Sequence, residues 1–272
     1  MTRSAAAPAS ILFVGDLVGS IGRHTLLGLL DGLRERHATT FVVVNGENVA
    51  GGLGITPRIA DELLAAGVDV ITLGNHAYHR PEILPYLDTQ ERILRPANYL
   101  RSQPGHGTCV VERDGVRLGV VNLSGNVFLR AGHPAFAAAD AAVEELRRGG
   151  CDHILVDMHA EATSEKVALG WHLDGHVTAV VGTHTHVPTA DARVLPAGTA
   201  YITDVGMTGA RGGVIGVKKE QAIESLVSQM HVRFDPSDDD PWLNGVVIRC
   251  SQALRADAIE QVLEPLHPTP GP

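Results

Sequence analysis

The stretch VVGTHTHVPTAD, Val180 to Asp191, combines the pattern of a buried strand with two histidines. An apolar run rich in β-branched residues, typical of a buried strand, ends in His184 and His186. Residues two apart on an extended segment point to the same side, so we expect both imidazoles to face one space. That arrangement suits a metal ion, whose commonest side-chain ligand is imidazole, although a strand end with two solvated histidines is the alternative. Two ligands do not make a site, so the rest of the chain must supply the others.

The same pattern, a buried strand followed by side chains able to bind a metal, recurs along the chain. Asp16 follows a strand predicted at 11–15, and Glu47 and Asn48 follow one at 41–45. Asn75 and His76 follow a strand predicted at 68–73, and His159 ends one at 153–159. In α/β proteins the loops at the carboxyl ends of strands converge on one crevice, where ligands bind. A single Asp or Asn in such a turn can simply bond its own backbone, but the repeated pattern favours one shared site.

Helical segments alternate with strands at first, and a hairpin enters later. Helices are predicted at 24–37, 56–66, 135–148, 164–169 and 219–230, and further strands at 110–123 (a hairpin around Asp114-Gly115), 177–182, 199–202 and 244–249 as the last strand. This order predicts an α/β fold, a four-layer α-β-β-α sandwich of two mixed sheets flanked by helices. We expect one domain over residues 10–265, with disordered tails at 1–9 and 266–272.

The composition restricts the class of protein and its partners. The 272 residues are 44% hydrophobic and 19% charged, with a formal net charge of −9 and no dense Lys/Arg block, which argues against a long nucleic-acid duplex as partner. The cysteines, Cys109, Cys151 and Cys250, are widely spaced and predict thiols in a reducing compartment. The sequence shows neither a signal peptide nor an apolar run long enough to span a membrane, so we expect a cytoplasmic protein without membrane contact.

The types of donor atom restrict the choice of metal. Carboxylates, carboxamides and imidazoles without a thiolate suit Fe(II), Mn(II) or Mg(II), and Zn(II) less well. The candidates outnumber the ligands of one ion, which favours two ions about 3.5–4 Å apart that share a carboxylate. Such ions would leave the site locally positive beside Asp16 and Glu47, and a positive site attracts a small anionic ester.

Ordered motifs along the chain resemble the calcineurin-like metallophosphoesterases. They are Gly15-Asp16, Gly74-Asn75-His76, the strand-end His159 and the run GTHTH at 182–186. More narrowly, NGEN (45–48), RPAN (95–98), HAEATSEK (159–166) and AYITDVGMTG (200–209) resemble the bacterial 2′,3′-cyclic-nucleotide 2′-phosphodiesterase branch. Asp16 lacks the usual histidine two residues later, and Glu47 stands where most relatives have a bridging aspartate. Both departures match the narrower branch, with Asn48 in place of the missing histidine.

The resemblance implies a ligand set and a mechanism. It implies a first metal held by Asp16, Glu47, Asn48 and His186, and a second held by Glu47, Asn75, His159 and His184. The two divalent ions would be Fe(II) or Mn(II), with Mg(II) or Zn(II) also possible. A metal-bound hydroxide would attack a small phosphodiester, and His76 as general acid would protonate the departing sugar oxygen, giving a 3′-nucleotide. The resemblance also implies a homo-oligomer, either a dimer or a tetramer.

The sequence also admits different assignments. An amidohydrolase uses His-X-His as well, but there it comes from the first strand and the aspartate from the last, the reverse of the order here. Three further possibilities remain. They are a protein phosphatase, a metallophosphatase of broader specificity, and a regulatory nucleotide- or RNA-related binding protein whose metal site is not primarily catalytic. Asp157 and Asp204 are candidates to support a ligand or are plain strand-end carboxylates, and Arg211 lies in a glycine-rich loop that could cover the substrate or contact a second subunit.

Overall fold

The computed structural model describes residues 8–266 as two stacked mixed sheets. The first contains β1 (Ala9–Val14), β2 (Phe41–Asn45), β3 (Val70–Thr72), β4 (Ile93–Leu94), β11 (Gly209–Ala210), β12 (Pro241–Cys250) and β13 (Ala258–Pro265). The second contains β5 (Thr108–Arg113), β6 (Val116–Ser124), β7 (His153–His159), β8 (Ala179–Thr183), β9 (Arg193–Val194) and β10 (Ala200–Ile202). Their strand orders are β11-β12-β1-β2-β3-β4, with β13 beside β12, and β5-β6-β7-β8-β10-β9.

Helices connect the strands and cover the outer faces of both sheets. They are α1 (Gly19–His37), α2 (Pro57–Ala65), α3 (Leu84–Leu87), α4 (Ala135–Arg148), α5 (Thr163–His172) and α6 (Lys219–Ser228), with a 3₁₀ turn at Pro81–Ile83. The start of α2 follows from its sequence, because the Thr56 side chain accepts a hydrogen bond from the Ile59 amide and Pro57 occupies the first helical position.

Three apolar clusters, one at each interface between layers, hold the sandwich together. On β1, Leu12 packs in the cluster beneath α1 and α2, whereas Phe13, one residue later, packs between the two sheets. This alternation is the period of two that a strand buried on both faces requires. A third cluster joins the outer face of the second sheet to α4 and α5, where Val143 and Leu169 are buried. The predicted α-β-β-α sandwich is therefore confirmed.

Some element boundaries differ from those predicted, near glycines and near the two ends of the chain. Helix α1 begins at Gly19, not at residue 24. The glycines of its first turns suggest a loop, but Gly22 is needed inside the helix, because a Cβ there would stand 2.3 Å from the Thr208 carbonyl oxygen. The strand predicted as the last is followed by β13, which pairs with it along its length. Ala9, predicted in the tail, pairs with Cys250 in the sheet, and the Leu266 amide donates to the Pro241 carbonyl. The rest of the predicted tails, 1–7 and 267–272, lies outside the described residues.

Parallel pairing places the loops that carry polar residues at one edge of each sheet. Strands β1, β2 and β3 run parallel in the first sheet, and β6, β7 and β8 run parallel in the second, with His159 in register with Thr183. Their carboxyl ends form the edge at which the candidate site lies. None of the helices between residues 8 and 266 is both long and apolar enough to cross a membrane.

Candidate metal centre

One cluster of donor atoms forms where β2, β3, β7 and β8 end. His159 Nε2 lies 3.0 Å from Asn75 Oδ1, 3.1 Å from Glu47 Oε1 and 3.0 Å from His184 Nδ1. One donor atom each from Glu47, His159 and His184 lies within 4.8 Å of the others. These four side chains are the ones expected to hold the second metal.

The side chains expected at the first metal lie beside this cluster. His186 Nε2 is 3.9 Å from Asp16 Oδ1 and 3.2 Å from the Asn48 amide nitrogen. That nitrogen also donates to Glu47 Oε1 at 3.3 Å, while Asn48 Oδ1 faces His76. An Asn ligates through oxygen, so Asn48 reaches a metal at this position only after its amide turns over. Glu47 contacts both groups, as a bridging carboxylate must.

The residues present fit a bound cation. Asp16 is fully buried, yet its Oδ1 has no hydrogen-bond partner among the described residues, an arrangement that costs free energy unless a cation or another donor satisfies the carboxylate. Burial raises the pKa of Asp16, and the charges of His186 and His159 offset this only in part. The backbone at Gly74 also leaves room for the cluster, because a Cβ there would lie 2.2–2.4 Å from His159 and Glu47 atoms.

The ring nitrogens that point away from the cluster are held by the protein. His159 Nδ1 lies 2.9 Å from Thr183 Oγ1, whose hydroxyl donates to Asp157, so the ring must donate to Thr183. His184 Nε2 lies 3.0 Å from a Glu161 carboxylate oxygen, and His186 Nδ1 lies 2.9 Å from the Ile215 carbonyl oxygen. Each partner keeps the proton on the outer nitrogen and leaves the inner nitrogen free to ligate.

The charges of the cluster set its pKa values. Burial alone would raise the pKa of Glu47, but the charge and hydrogen bonds of His159 and His76 outweigh it and hold that pKa well below the ordinary value. Burial lowers the pKa of His159, but Glu47, Asp16 and Asp157 raise it to about 9. Burial and the neighbouring His159 lower the pKa of His184 to about 3, so His184 presents the neutral imidazole that ligation requires.

The paired histidines converge for a different reason from the one the sequence suggested. Strand β8 ends at Thr183, and His184 and His186 adopt φ of 96° and 66°, so they do not lie on an extended segment. Positive φ is costly for residues other than glycine and must be imposed by surrounding contacts. Here Asp204 accepts hydrogen bonds from the amide and hydroxyl of the intervening Thr185 at 3.1 and 2.6 Å.

A buried ion pair supports the turn at His184, Thr185 and His186. Lys166 Nζ lies 2.7 Å from Asp204 Oδ2, and both side chains are fully buried. The predicted supporting role of Asp204 therefore has a physical basis, as does that of Asp157, which accepts hydrogen bonds from Thr72 and Thr183 and whose pKa burial raises to about 6. Arg211, in contrast, is exposed and lies 4.4 Å above the Trp242 ring instead of lining the cavity at the cluster.

The candidate general acid, His76, lies at the edge of the same cluster. Its Nδ1 is 2.9 Å from Asn48 Oδ1 and 3.3 Å from Glu47 Oε1, and its amide donates to Glu47 Oε2. The His76 side chain is 31% exposed, compared with 17% for His184 and 12% for His186, so a ligand can reach it more readily than either. Ala77 is buried and contributes no charge, so the partners of the His76 ring come from the loop after β2.

Above the cluster lies a cavity of about 600 Å³. Glu47, Asn48, His76, His184 and His186 line its polar side. Its lining also has an apolar part, formed by residues that include Val18, Leu53, Ile215, Leu226 and Phe234. A ligand that fits both parts has an anionic end and an apolar or aromatic end.

The sequence patterns assigned no role to several supporting residues. Glu161, Lys166 and Thr183 are three of them, although each contacts a candidate ligand or the turn that carries it. Glu161 and Lys166 both lie within the HAEATSEK motif. A lysine on the otherwise apolar inner face of α5 is the signal that could have pointed to a buried partner.

The chain is similar to known proteins over most of its length. A family described as YmdB-like protein matches residues 12–262. The chain is 44% identical over 254 residues to the 2′,3′-cyclic-nucleotide 2′-phosphodiesterase of Bacillus subtilis strain 168, covering 93% of this chain and 96% of that protein. A crystal structure described as a novel phosphatase from Mycoplasma pneumoniae has a TM-score of 0.88 at 33% identity, covering 96% of this chain and 94% of that chain. A hypothetical protein of Thermus thermophilus has a TM-score of 0.86 at 38% identity, covering 94% and 99%. The resemblance drawn from the motifs is confirmed.

Proposed function

The chain belongs to the YmdB-like family, and on that premise we propose that it is a metal-dependent phosphodiesterase that hydrolyses 2′,3′-cyclic nucleotides to 3′-nucleotides. The observation that carries the proposal is the cluster that Glu47, Asn75 and His184 form around His159 Nε2, with His76 in the lining of the adjoining cavity. The named activity of the Bacillus subtilis relative supplies the substrate class.

The proposal includes two divalent ions, Fe(II) or Mn(II), one in each group of donors. Asp16, Glu47, Asn48 and His186 would hold the first, and Glu47, Asn75, His159 and His184 the second. Bound ions of this kind activate water and neutralise the charge of a phosphate ester. The protein's part is to orient each imidazole, through Thr183, Glu161 and the Ile215 carbonyl.

The role proposed for His76 follows from its contacts. Its Nδ1 faces Asn48 Oδ1 and Glu47 Oε1. If the Asn48 amide turns over to bind the first metal, Glu47 Oε1 remains as the partner of Nδ1, and Nε2 stays available to the ligand. A sugar alkoxide is a poor leaving group, so a proton delivered from His76 to the 2′-oxygen would assist the step by roughly 10²–10⁴-fold. His76 then regains a proton from solvent, which its exposure allows.

The cavity favours a nucleotide over a bare phosphate. Its polar side matches the cyclic phosphate, and the apolar side, with Ile215, Leu226 and Phe234, matches a ribose and base. None of these three side chains offers a hydrogen bond to the edge of a base. We therefore propose binding of the base without strong preference among bases.

Self-association and location complete the proposal. Helix α6 exposes Ile223, Leu226 and Val227, an apolar face that a dimer or tetramer would cover. We place the protein in the cytoplasm, which agrees with the free thiols of Cys109 and Cys250. Light scattering at several protein concentrations tests the oligomer, and a monomer throughout would contradict it.

The function is tested by metal analysis and a substrate panel. Protein purified without a chelating column is expected to contain about two metal ions per chain and to prefer 2′,3′-cAMP over 3′,5′-cAMP and bis-p-nitrophenyl phosphate. Equal rates on all three esters would remove the substrate claim and leave a metallophosphatase of broader specificity. Protein that stays inactive after addition of Mn(II) or Fe(II) would contradict the proposal as a whole.

A further inference from the structure

A second cavity, of about 650 Å³, lies on the far side of the loop that follows β2. Val49, Ala50 and Gly51 of this loop line the second cavity, whereas Asn48, Gly52 and Leu53 line the cavity at the metal cluster. Pro236 borders both. We call the second space the arginine cavity, because Arg23, Arg58 and Arg80 line it.

The arginine cavity is a positive region on an acidic protein. Within the described part of the chain, Glu82 is its one acidic lining residue, so the lining carries a net positive charge while the chain carries −9. Glu62, which is not part of the lining, lies 3.4 Å from Arg23 Nε. A concentrated positive charge in such a background attracts anions selectively.

Two of the arginines have hydrogen-bonding capacity that the protein does not use. Arg58 is exposed and has no hydrogen bond or ion pair among residues 8–266. Arg23 is largely buried, at 12% side-chain exposure, and its Nε makes the ion pair with Glu62 without a hydrogen bond from the described residues. Planar guanidinium groups match the oxygen atoms of a phosphate in pairs, so two such groups facing one space favour that ligand.

The backbone around the arginine cavity adds to the attraction. The first turns of α1 and α2 both line it, through Ser20 and Arg58, and neither turn contains an acidic residue. The cap residue of α1, Val18, has no side-chain hydrogen bond to the helix. The positive ends of both helix dipoles therefore act together with the arginines.

The third arginine, Arg80, binds the loop that follows β2 and carries the candidate ligand Asn48. Arg80 Nε donates to the Leu53 carbonyl at 3.0 Å, and its Nη2 donates to the Ala50 carbonyl, so Arg80 holds the loop that begins at Asn48. Gly51, Gly52 and Gly54 of that loop all adopt positive φ, a backbone that glycine allows. Arg80 is thus a structural member of the arginine cavity, and Arg23 and Arg58 are the members free to bind.

We propose that the arginine cavity is a second, metal-independent phosphate-binding site, in which Arg23 and Arg58 bind the phosphate oxygens. Its ligand is a phosphate group, either free or as part of a nucleotide chain. This site does not depend on the proposed hydrolytic activity, because none of the residues that line it is a candidate metal ligand.

The test is a calorimetric titration of the metal-loaded protein with inorganic phosphate. Wild-type protein is expected to bind one more phosphate per chain than the R23Q/R58Q variant, or to bind it at least about tenfold more tightly. R148Q is the matched control, because Arg148 is exposed on α4 and its contacts within residues 8–266 are to Glu144 of the same helix. R58E serves as a second variant, since the exposed Arg58 side chain makes no hydrogen bond or ion pair with the described residues whose loss would unfold the protein.

Identical stoichiometry and affinity in wild type, R23Q/R58Q and R58E would overturn the proposal. Two substrates distinguish the sources of the phosphate. If R58E lowers kcat/KM for a diribonucleotide that ends in a 2′,3′-cyclic phosphate, but not for 2′,3′-cAMP, the arginine cavity binds an upstream phosphate of an RNA end. If R58E weakens phosphate binding and changes neither kcat/KM, the ligand is a free phosphate or mononucleotide. Because the titration needs no turnover, an inactive protein would still report on this site.

Discussion

The carboxylate of Glu161 lies 3.0 Å from Nε2 of His184, the ring nitrogen opposite the one that faces the metal cluster. Glu161 is half exposed and is not itself a candidate ligand. Its position nevertheless fixes which His184 nitrogen carries the proton, and thus which nitrogen can bind a metal.

Replacing Glu161 by Ala is expected to weaken binding of the second metal by about 10–100-fold, the usual effect of removing an outer partner of a ligand histidine. Metal titration in a competing chelator measures the change, and Glu161→Gln, which keeps an acceptor, should fall between wild type and the alanine variant. Glu224→Gln, on exposed α6, is the control. Unchanged metal affinity in Glu161→Ala would show that His184 is not oriented by this contact.

Gly74 gives a sharper test of the cluster because a side chain has no room there. Its Cβ would lie 2.2 Å from His159 Cδ2 and 2.4 Å from Glu47 Oε2, so Gly74→Ala should displace both and abolish tight metal binding. Gly32→Ala is the control, since Gly32 lies in α1 with nothing described within 4 Å of a Cβ and should gain up to about 1 kcal/mol in stability. Normal metal content in Gly74→Ala would place the metal elsewhere.

The buried pair of Lys166 and Asp204 should respond more strongly to single than to double substitution. Lys166→Met leaves a buried carboxylate without its counter-charge and should lower the free energy of unfolding by about 3–5 kcal/mol. The double variant Lys166→Met/Asp204→Asn should lose clearly less than the sum of the two single losses. Urea unfolding of the four proteins gives the coupling, and additive losses would mean that the pair does not act as a unit.

Asp191 predicts a pH dependence of stability. Burial opposes ionisation of Asp191, but hydrogen bonds from Thr189 and Thr203 outweigh it and lower the pKa below the ordinary 3.8. A lowered folded-state pKa contributes stability above the unfolded value, and this contribution is lost as pH falls through the folded value. Wild type should therefore exceed Asp191→Asn in stability at pH 6, with the difference shrinking below about pH 4.

Thermal unfolding between about pH 3 and pH 6 measures this difference, with the exposed Asp31→Asn as control. A difference that does not change with pH would show that Asp191 acts through its shape and not through its charge. The contact matters for the site because Asp191 accepts hydrogen bonds from the Thr189 and Thr203 hydroxyls, and Thr189 Oγ1 in turn accepts one from the Asp204 amide.

The layers of the fold could be predicted from the sequence, as could the polar side chains that lie together at the strand ends, because both depend on local patterns. Buried strands such as 41–45 and 153–159 have continuous apolar runs, and the polar residue after each is visible without coordinates. The start of α1 was not predictable in the same way, since its glycines look like a loop until the neighbouring Thr208 carbonyl is known.

Contacts between distant residues account for the rest. The turn at His184 and His186 is held by Asp204 and Lys166, each 19 residues from Thr185 along the chain, so spacing alone suggested an extended segment instead. The partner of His184, Glu161, comes from the loop after another strand. Such pairings depend on the parallel register of β7 and β8, which no local pattern specifies.

His76 is proposed to protonate a poor leaving group beside the candidate metal ligands. A comparison of two substrates with different leaving groups tests this role most directly. Hydrolysis of 2′,3′-cAMP by His76→Ala should fall by roughly 10²–10⁴-fold, while hydrolysis of bis-p-nitrophenyl phosphate, whose leaving phenolate needs no proton, should fall far less. Metal content should stay equal to that of wild type. Equal losses on both substrates at full metal content, or no loss on either, would contradict this role for His76.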